Sequence, residues 1–131
     1  MDVIRGTTAQ FKFKLPYSYD ELERITIKFW QQGNLSDYLP IIKNKTNCSE
    51  SVENEIHVSL RPSETAIFSD KYKAKVQLIA QPYMGSPFGS KEHLITVYPM
   101  PDDIIVDDPT IEPSIPTDKE WIIFDGEEIV N

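Results

Sequence analysis

Along residues 1–99 the apolar positions recur at every second residue, the period of strands that bury one face. Ala9, Phe11, Phe13 and Leu15 alternate with Gln10, Lys12 and Lys14 until Pro16 ends the run, which predicts a first strand. Ile25, Ile27 and Phe29 alternate with Thr26 and Lys28, a second strand beginning near Arg24, with Trp30 on its outer face or at its end and a turn at Gln32-Gly33-Asn34. Leu39 to Lys45 can form a third, which Pro40 places at a sheet edge or delays in starting. Ile56, Val58 and Leu60 mark a fourth, with His57 and Ser59 on its outward face. Pro62 to Phe68 reads as one or two helical turns capped by Ser63. Tyr72, Ala74, Val76, Leu78 and Ala80 then give the clearest strand of the chain. A Pro/Gly/Ser loop over 82–90 leads to a sixth strand, Glu92 to Tyr98, with Ile95 and Val97 on one face and Leu94, Thr96 and Tyr98 on the other. Six short strands, one short helix and no βαβ rhythm predict an all-β fold, a two-layer antiparallel β-sandwich over residues 1–98.

Beyond Tyr98 the pattern changes. Residues 100–131 carry ten acidic side chains against Lys119 alone, a net charge of −9, whereas residues 1–99 carry 11 acidic and 12 basic, a net of +1. Pro99, Pro101, Pro109, Pro113 and Pro116 fall within eighteen residues. Proline at this density between repelling carboxylates predicts an extended, acidic arm over 99–131 rather than a second packed domain. The arm ends in Trp121-Ile122-Ile123-Phe124, Asp125-Gly126 and Ile129-Val130. Asp-Gly between two β-prone runs predicts a terminal β-hairpin. A two-stranded ribbon is marginal in water, so it needs a surface to lie on. Trp121, Ile122, Ile123, Phe124 and Ile129 are therefore the candidate partner-binding residues.

The overall charge of −8 argues against nucleic acid, whose phosphates are bound by clustered Lys and Arg. No run approaches the ~20 apolar residues of a membrane span, and Met1 to Gln10 lacks the apolar centre of a signal peptide. The expectation is a chain made in the cytoplasm, with no membrane contact. Cys48 stands alone in a polar loop, with no cue for a reactive thiol. His57 and His93 have no second nitrogen ligand at useful spacing and read as solvated surface residues. Asp102-Asp103 and Asp107-Asp108 lack the alternating ligands and central glycine of a calcium loop. Gly85 and Gly89 are not followed by the Lys-Ser or Lys-Thr of a phosphate loop. No metal, cofactor or catalytic residue is predicted. Asn34, Asn44 and Asn47 begin glycosylation sequons that matter only in a secreted chain. Tyr17, Tyr19, Tyr38, Tyr83 and Phe88 fall in loops, where rings stack on sugars, bind a protein neighbour or fold back onto the sandwich.

Several segments carry a family likeness. Asp70-Lys71-Tyr72-Lys73-Ala74-Lys75-Val76-Gln77-Leu78 resembles the penultimate-strand segment of immunoglobulin-like domains. Ahead of it stand Ile4-Arg5-Gly6-Thr7-Thr8 followed by Phe11 and Phe13, the strand Ile25-Thr26-Ile27-Lys28-Phe29, and Pro62-Ser63-Glu64-Thr65. That order is similar to small immunoglobulin-like β-sandwich virion proteins of tailed bacteriophages, including the N-terminal domains of upper baseplate proteins. The likeness spans about residues 3–98, and the arm departs from it.

The resemblance implies an immunoglobulin-like fold and a non-enzymatic structural part of a phage particle, assembled in the host cytoplasm and working in the virion. Its partners would be other virion proteins or further copies of itself, with the arm as tether. The competing expectation is a carbohydrate- or receptor-binding module that uses Tyr83 and Phe88.

Overall fold

The computed structural model describes residues 2–31, 40–50, 54–102, 122–124 and 129–130. Its strands are β1 (Asp2–Ile4), β2 (Ala9–Lys14), β3 (Leu22–Gln31), β4 (Ile41–Asn44), β5 (Cys48–Ser49), β6 (Glu55–Leu60), β7 (Ala74–Pro82), β8 (Phe88–Ser90), β9 (His93–Tyr98), β10 (Ile122–Phe124) and β11 (Ile129–Val130), with one short helix, α1 (Pro62–Thr65). The larger sheet runs β1-β9-β7-β3-β4, and β8 pairs with the far half of β7 and with β11. The smaller sheet runs β10-β2-β6-β5. The two make an all-β, sandwich-like fold.

Alternation fills the space between the sheets. Phe11 and Phe13 from β2 and Ile56, Val58 and Leu60 from β6 meet Ile25, Ile27 and Phe29 from β3, Val76 and Leu78 from β7, and Ile95 from β9. Phe11 and Phe29 touch across the gap, with ring centroids 4.9 Å apart and planes tilted by 54°. Burying a side chain of this size contributes ~1.5–3 kcal/mol. Opposite them Gln10, Lys12, Thr26 and Lys28 take outward positions on the same strands.

Four polar side chains fasten the chain where the strand pattern stops. Gly6, with φ at +79°, turns the backbone from β1 on the larger sheet towards β2 on the smaller one. Thr65 of α1, fully buried, holds that crossing: its Oγ1 accepts from Gly6 N–H at 3.1 Å and donates to Thr7 O at 2.7 Å. The Arg5 guanidinium donates to Ala66 O at 2.7 Å. Gln31, also fully buried, accepts from Ser69 N–H and donates to the carbonyls of Ser69 and Tyr72, pinning the turn before β7. Ser90 Oγ accepts from Leu78 N–H at 3.0 Å, supplying a ladder acceptor where the last long strand breaks into β8 and β9.

The structure differs from the sequence expectation in several places. Pairing is not wholly antiparallel: β1 runs parallel to β9 and β10 parallel to β2. Strands far apart in sequence need no tight turn and are free to pair in this sense. β1, β5 and β8 are two or three residues long, too short to show a period. Tyr72 is 45% exposed, because β7 begins only at Ala74; Phe68 supplies the buried ring at this end. The cap of α1 is Arg61, with Pro62 at the first helical position, and Arg61 N–H donates to Glu64 Oε1 at 2.8 Å. Leu39 and Tyr38 lie outside the described residues.

The terminal hairpin is also revised. β10 and β11 fall in different sheets, with Ile122, Ile123 and Phe124 opposite Phe11, Lys12 and Phe13, and with Ile129 and Val130 opposite Ser90 and Gly89. An Asp-Gly turn favours a ribbon locally, but two preformed edges offer each run a ladder already backed by a core.

Candidate functional site

The flank that carries β2 and β8 is where the ends of the chain meet the sandwich. The crossing at Arg5 to Thr8 leaves β1 on the larger sheet, so β1 does not cover the outer edge of β2. An edge left this way presents unpaired N–H and C=O groups, a template for an added strand. β10 occupies it in register with the core-bearing stretch of β2, and β11 continues onto the edge of β8. Together they clip one sheet to the other. Of the predicted partner-binding residues, the structure brings Ile122, Ile123, Phe124 and Ile129 to this flank as paired backbone. Trp121 lies outside the described residues, as does the acidic stretch before it.

A second cluster sits at the loop end beside β8. The Tyr17 ring stacks on Phe88 at 5.4 Å with planes 21° apart, and Phe88 is buried. Lys45 Nζ lies 4.7 Å from the Tyr19 ring centre and 5.7 Å from that of Tyr83, and also donates to Leu22 O. Tyr19 hydroxyl donates to Lys45 O at 3.0 Å, and Tyr19 N–H donates to Glu50 Oε2 at 2.7 Å. Ser18 offers both its N–H and its hydroxyl to Glu21 Oε1, which draws that carboxyl below its usual pKa. Tyr17, Glu21, Tyr83 and Met84 line a cavity of about 190 Å³, smaller than the ~300 Å³ at which ligand pockets usually begin. Tyr83 is 64% exposed. The predicted pair therefore divides: Tyr83 faces outward, while Phe88 supports the core from beneath Tyr17.

Both histidines are buried rather than solvated. His57 is 3% exposed because β6 is an interior strand, flanked in register by Lys12 of β2 and Ser49 of β5. Its Nε2 lies 3.6 Å from Glu55 Oε2, which also sits 3.6 Å from Lys12 Nζ. Burial, and then the Lys12 charge, lower its pKa against the opposing pull of Glu55. His93 takes the inner face of β9 with Ile95 and Val97. Cys48 is buried with its thiol donating to Asn44 O at 3.3 Å, and burial pushes its pKa up to about 12. Among the described residues no group of three or more His, Cys, Asp or Glu side chains is placed to hold a metal ion. No described helix is long and apolar enough to cross a membrane.

The sequence reading missed Thr65, Gln31 and Ser90, because a polar residue that binds backbone across the fold leaves no local pattern. Compared with protein-family models the chain finds no match, and compared with curated proteins it likewise finds none.

Proposed function

We propose that this protein is a non-enzymatic structural subunit, a β-sandwich that docks on neighbouring proteins of a tailed-phage particle and is fastened there through its C-terminal strands. The observation that supports this reading is that the β2 and β8 edges accept added strands, here Ile122–Phe124 and Ile129–Val130 of the same chain, more than twenty positions beyond the last strand of the body. Main-chain pairing of this kind attaches a segment with little demand on its sequence. The facing strand orders β1-β9-β7-β3-β4 and β10-β2-β6-β5, with a short helix between β6 and β7, support an immunoglobulin-like arrangement. The buried polar residues Thr65, Gln31 and Ser90 are engaged with backbone groups, a structural use. The virion setting follows from the resemblance of residues 3–98.

Deleting residues 117–131 tests the reading. The shortened chain is expected to fold, with cooperative thermal unfolding, and to be missing from particles assembled in its presence. Normal incorporation would remove the anchoring role. A second reading, glycan binding at the loop end, is favoured by the exposure of Tyr83 above Lys45. It predicts that Tyr83→Ala abolishes retention on a glycan array and leaves incorporation untouched.

A further inference from the structure

Resting on that docking reading and deepening it, we propose that the cavity walled by Tyr17, Glu21, Tyr83 and Met84 is a socket for one arginine side chain presented by a neighbouring protein, its guanidinium lying against the tyrosine rings and bonded to the Glu21 carboxylate.

The walls are set before anything enters. Tyr17 stacks on the buried Phe88. Its hydroxyl packs against Gly85, whose φ is +128° and where a Cβ would lie 3.2 Å from that hydroxyl and 3.3 Å from Pro82 Cγ. Gln81 Nε2 donates to Pro82 O at 2.9 Å and to Gly85 O at 3.4 Å, tying together the ends of the segment that bears Tyr83 and Met84. Tyr83 N–H donates to Glu21 O at 3.0 Å, so backbone pairing brings the exposed ring and the carboxylate to one place. Ser18 binds Glu21 Oε1 through its N–H and its hydroxyl, and among the described residues no hydrogen bond reaches Oε2, which keeps an acceptor for a ligand. A site organised in this way loses less freedom when it is filled.

Size and charge select the occupant. At about 190 Å³ the cavity has room for one long side chain rather than for a drug-sized ligand. Tyrosine faces attract cations, and the fold already uses them so: Lys45 Nζ lies 4.7 Å from the Tyr19 ring centre and 5.7 Å from that of Tyr83. Lys45 itself is engaged with Leu22 O and is not among the cavity's walls. Carboxylates gather at this end of the molecule, with Asp20 and Glu21 in the turn before β3 and Glu50 on Tyr19 N–H, on a body whose net charge is only +1. A partner's cation is drawn to such a place. Arginine suits it better than lysine, because a guanidinium is planar and weakly hydrated, and can stack on a ring while its edge donates to a carboxylate. Met84, 86% exposed, adds an unbranched thioether that adapts to the methylenes of the incoming side chain.

The test uses the full-length protein with isotope-labelled methionine methyls, followed by NMR. The probe is the tripeptide acetyl-Gly-Arg-Gly-amide, and its citrulline counterpart supplies the same shape without the charge. Met84 reports on the cavity. Met100 follows β9, whose end runs to the start of β7 and so to the opposite end of the larger sheet, and serves as internal control. The arginine peptide is expected to shift the Met84 methyl saturably, with half-saturation on the order of 1–10 mM, and to leave Met100 unmoved. The citrulline peptide should bind at least about fivefold more weakly, and about 0.5 M NaCl should bring the arginine peptide close to it. Glu21→Gln keeps an acceptor for Ser18 and loses the charge, and Tyr83→Leu keeps bulk and loses the ring. Each should weaken the arginine peptide by about threefold or more, whereas Tyr83→Phe should retain it. The citrulline comparison needs no variant, so it stands whatever a substitution does to stability. Equal binding of the two peptides, no saturable shift at Met84 by about 20 mM, or full affinity in either Glu21→Gln or Tyr83→Leu would overturn the socket. A methyl glycoside that saturates the Met84 shift where the arginine peptide does not would also overturn it and give the cavity to glycans. None of these results involves particles, so a failed socket leaves the deletion of 117–131 to judge the structural role, and failed incorporation leaves arginine binding to be read on its own.

Discussion

Thr65→Val removes one oxygen from the fully buried point where α1 grips the β1–β2 crossing and keeps the volume nearly unchanged. The wild-type hydroxyl accepts from Gly6 N–H at 3.1 Å and gives its single hydrogen to the nearer carbonyl, Thr7 O at 2.7 Å rather than Pro62 O at 3.2 Å. Valine loses two hydrogen bonds worth ~1 kcal/mol each and strands a buried N–H and a part-buried carbonyl, for a total of about 2–4 kcal/mol. That is a large share of the ~5–15 kcal/mol a domain of this size has. With a urea slope of ~1–2 kcal/mol/M, the unfolding midpoint should fall by about 1–4 M with the slope itself unchanged. Thr65→Ser keeps the hydroxyl, loses a methyl and should cost only about 1 kcal/mol. The reasoning fails if valine lies within about 0.5 kcal/mol of wild type, the range of an inconsequential surface change, or if serine is as damaging as valine. Either result would mean that the hydroxyl does not hold the crossing that leaves β2 open.

Three further outcomes are expected. His57 has a lowered pKa in the fold, so the unfolded chain binds more protons; its contribution is complete above the unfolded pKa of about 6.5 and is lost as pH falls through the folded value. Urea midpoints should therefore decline below about pH 6.5, and His57→Gln should flatten that decline; an unchanged slope would contradict the burial argument. Ser90→Ala strands Leu78 N–H and should cost about 1–3 kcal/mol, with the Leu78 amide exchanging faster with deuterium than its β7 neighbours. Cys48, with its thiol pushed up to about 12, should resist a thiol-reactive dye at pH 8 in the native state and react fully in denaturant; rapid native labelling would show the thiol to be accessible.

The long strands were legible because burial on one face leaves a two-residue period: β2, β3, β6 and β7 all follow alternations readable in the sequence. Asp-Val-Ile of β1, Cys-Ser of β5 and Phe-Gly-Ser of β8 are too short to carry one, and their pairing is decided by neighbours distant in the chain. His57 was misjudged because an outward position on an interior strand looks like one on an edge; the difference lies in Lys12 and Glu55, which crowd it from the same strand and the next. Phe88 was grouped with Tyr83 because both follow loop residues, whereas Tyr17, some seventy positions earlier, decides which ring is covered. At the C-terminus the two strand segments were readable and their partners were not. Asp125-Gly126 states a local preference, and the edges it competes with are made elsewhere.

The same competition explains why the end of the chain matters. A sandwich whose first strand stays on one sheet leaves the other sheet with an open edge, and an open edge is a hazard for any protein stored at high concentration. β10 answers that hazard by pairing along β2, whose Phe11 and Phe13 are committed to the core. Protection supplied by a distant segment is lost with that segment, so a chain without Ile122–Phe124 has the edge of β2 open to any strand that can pair with it.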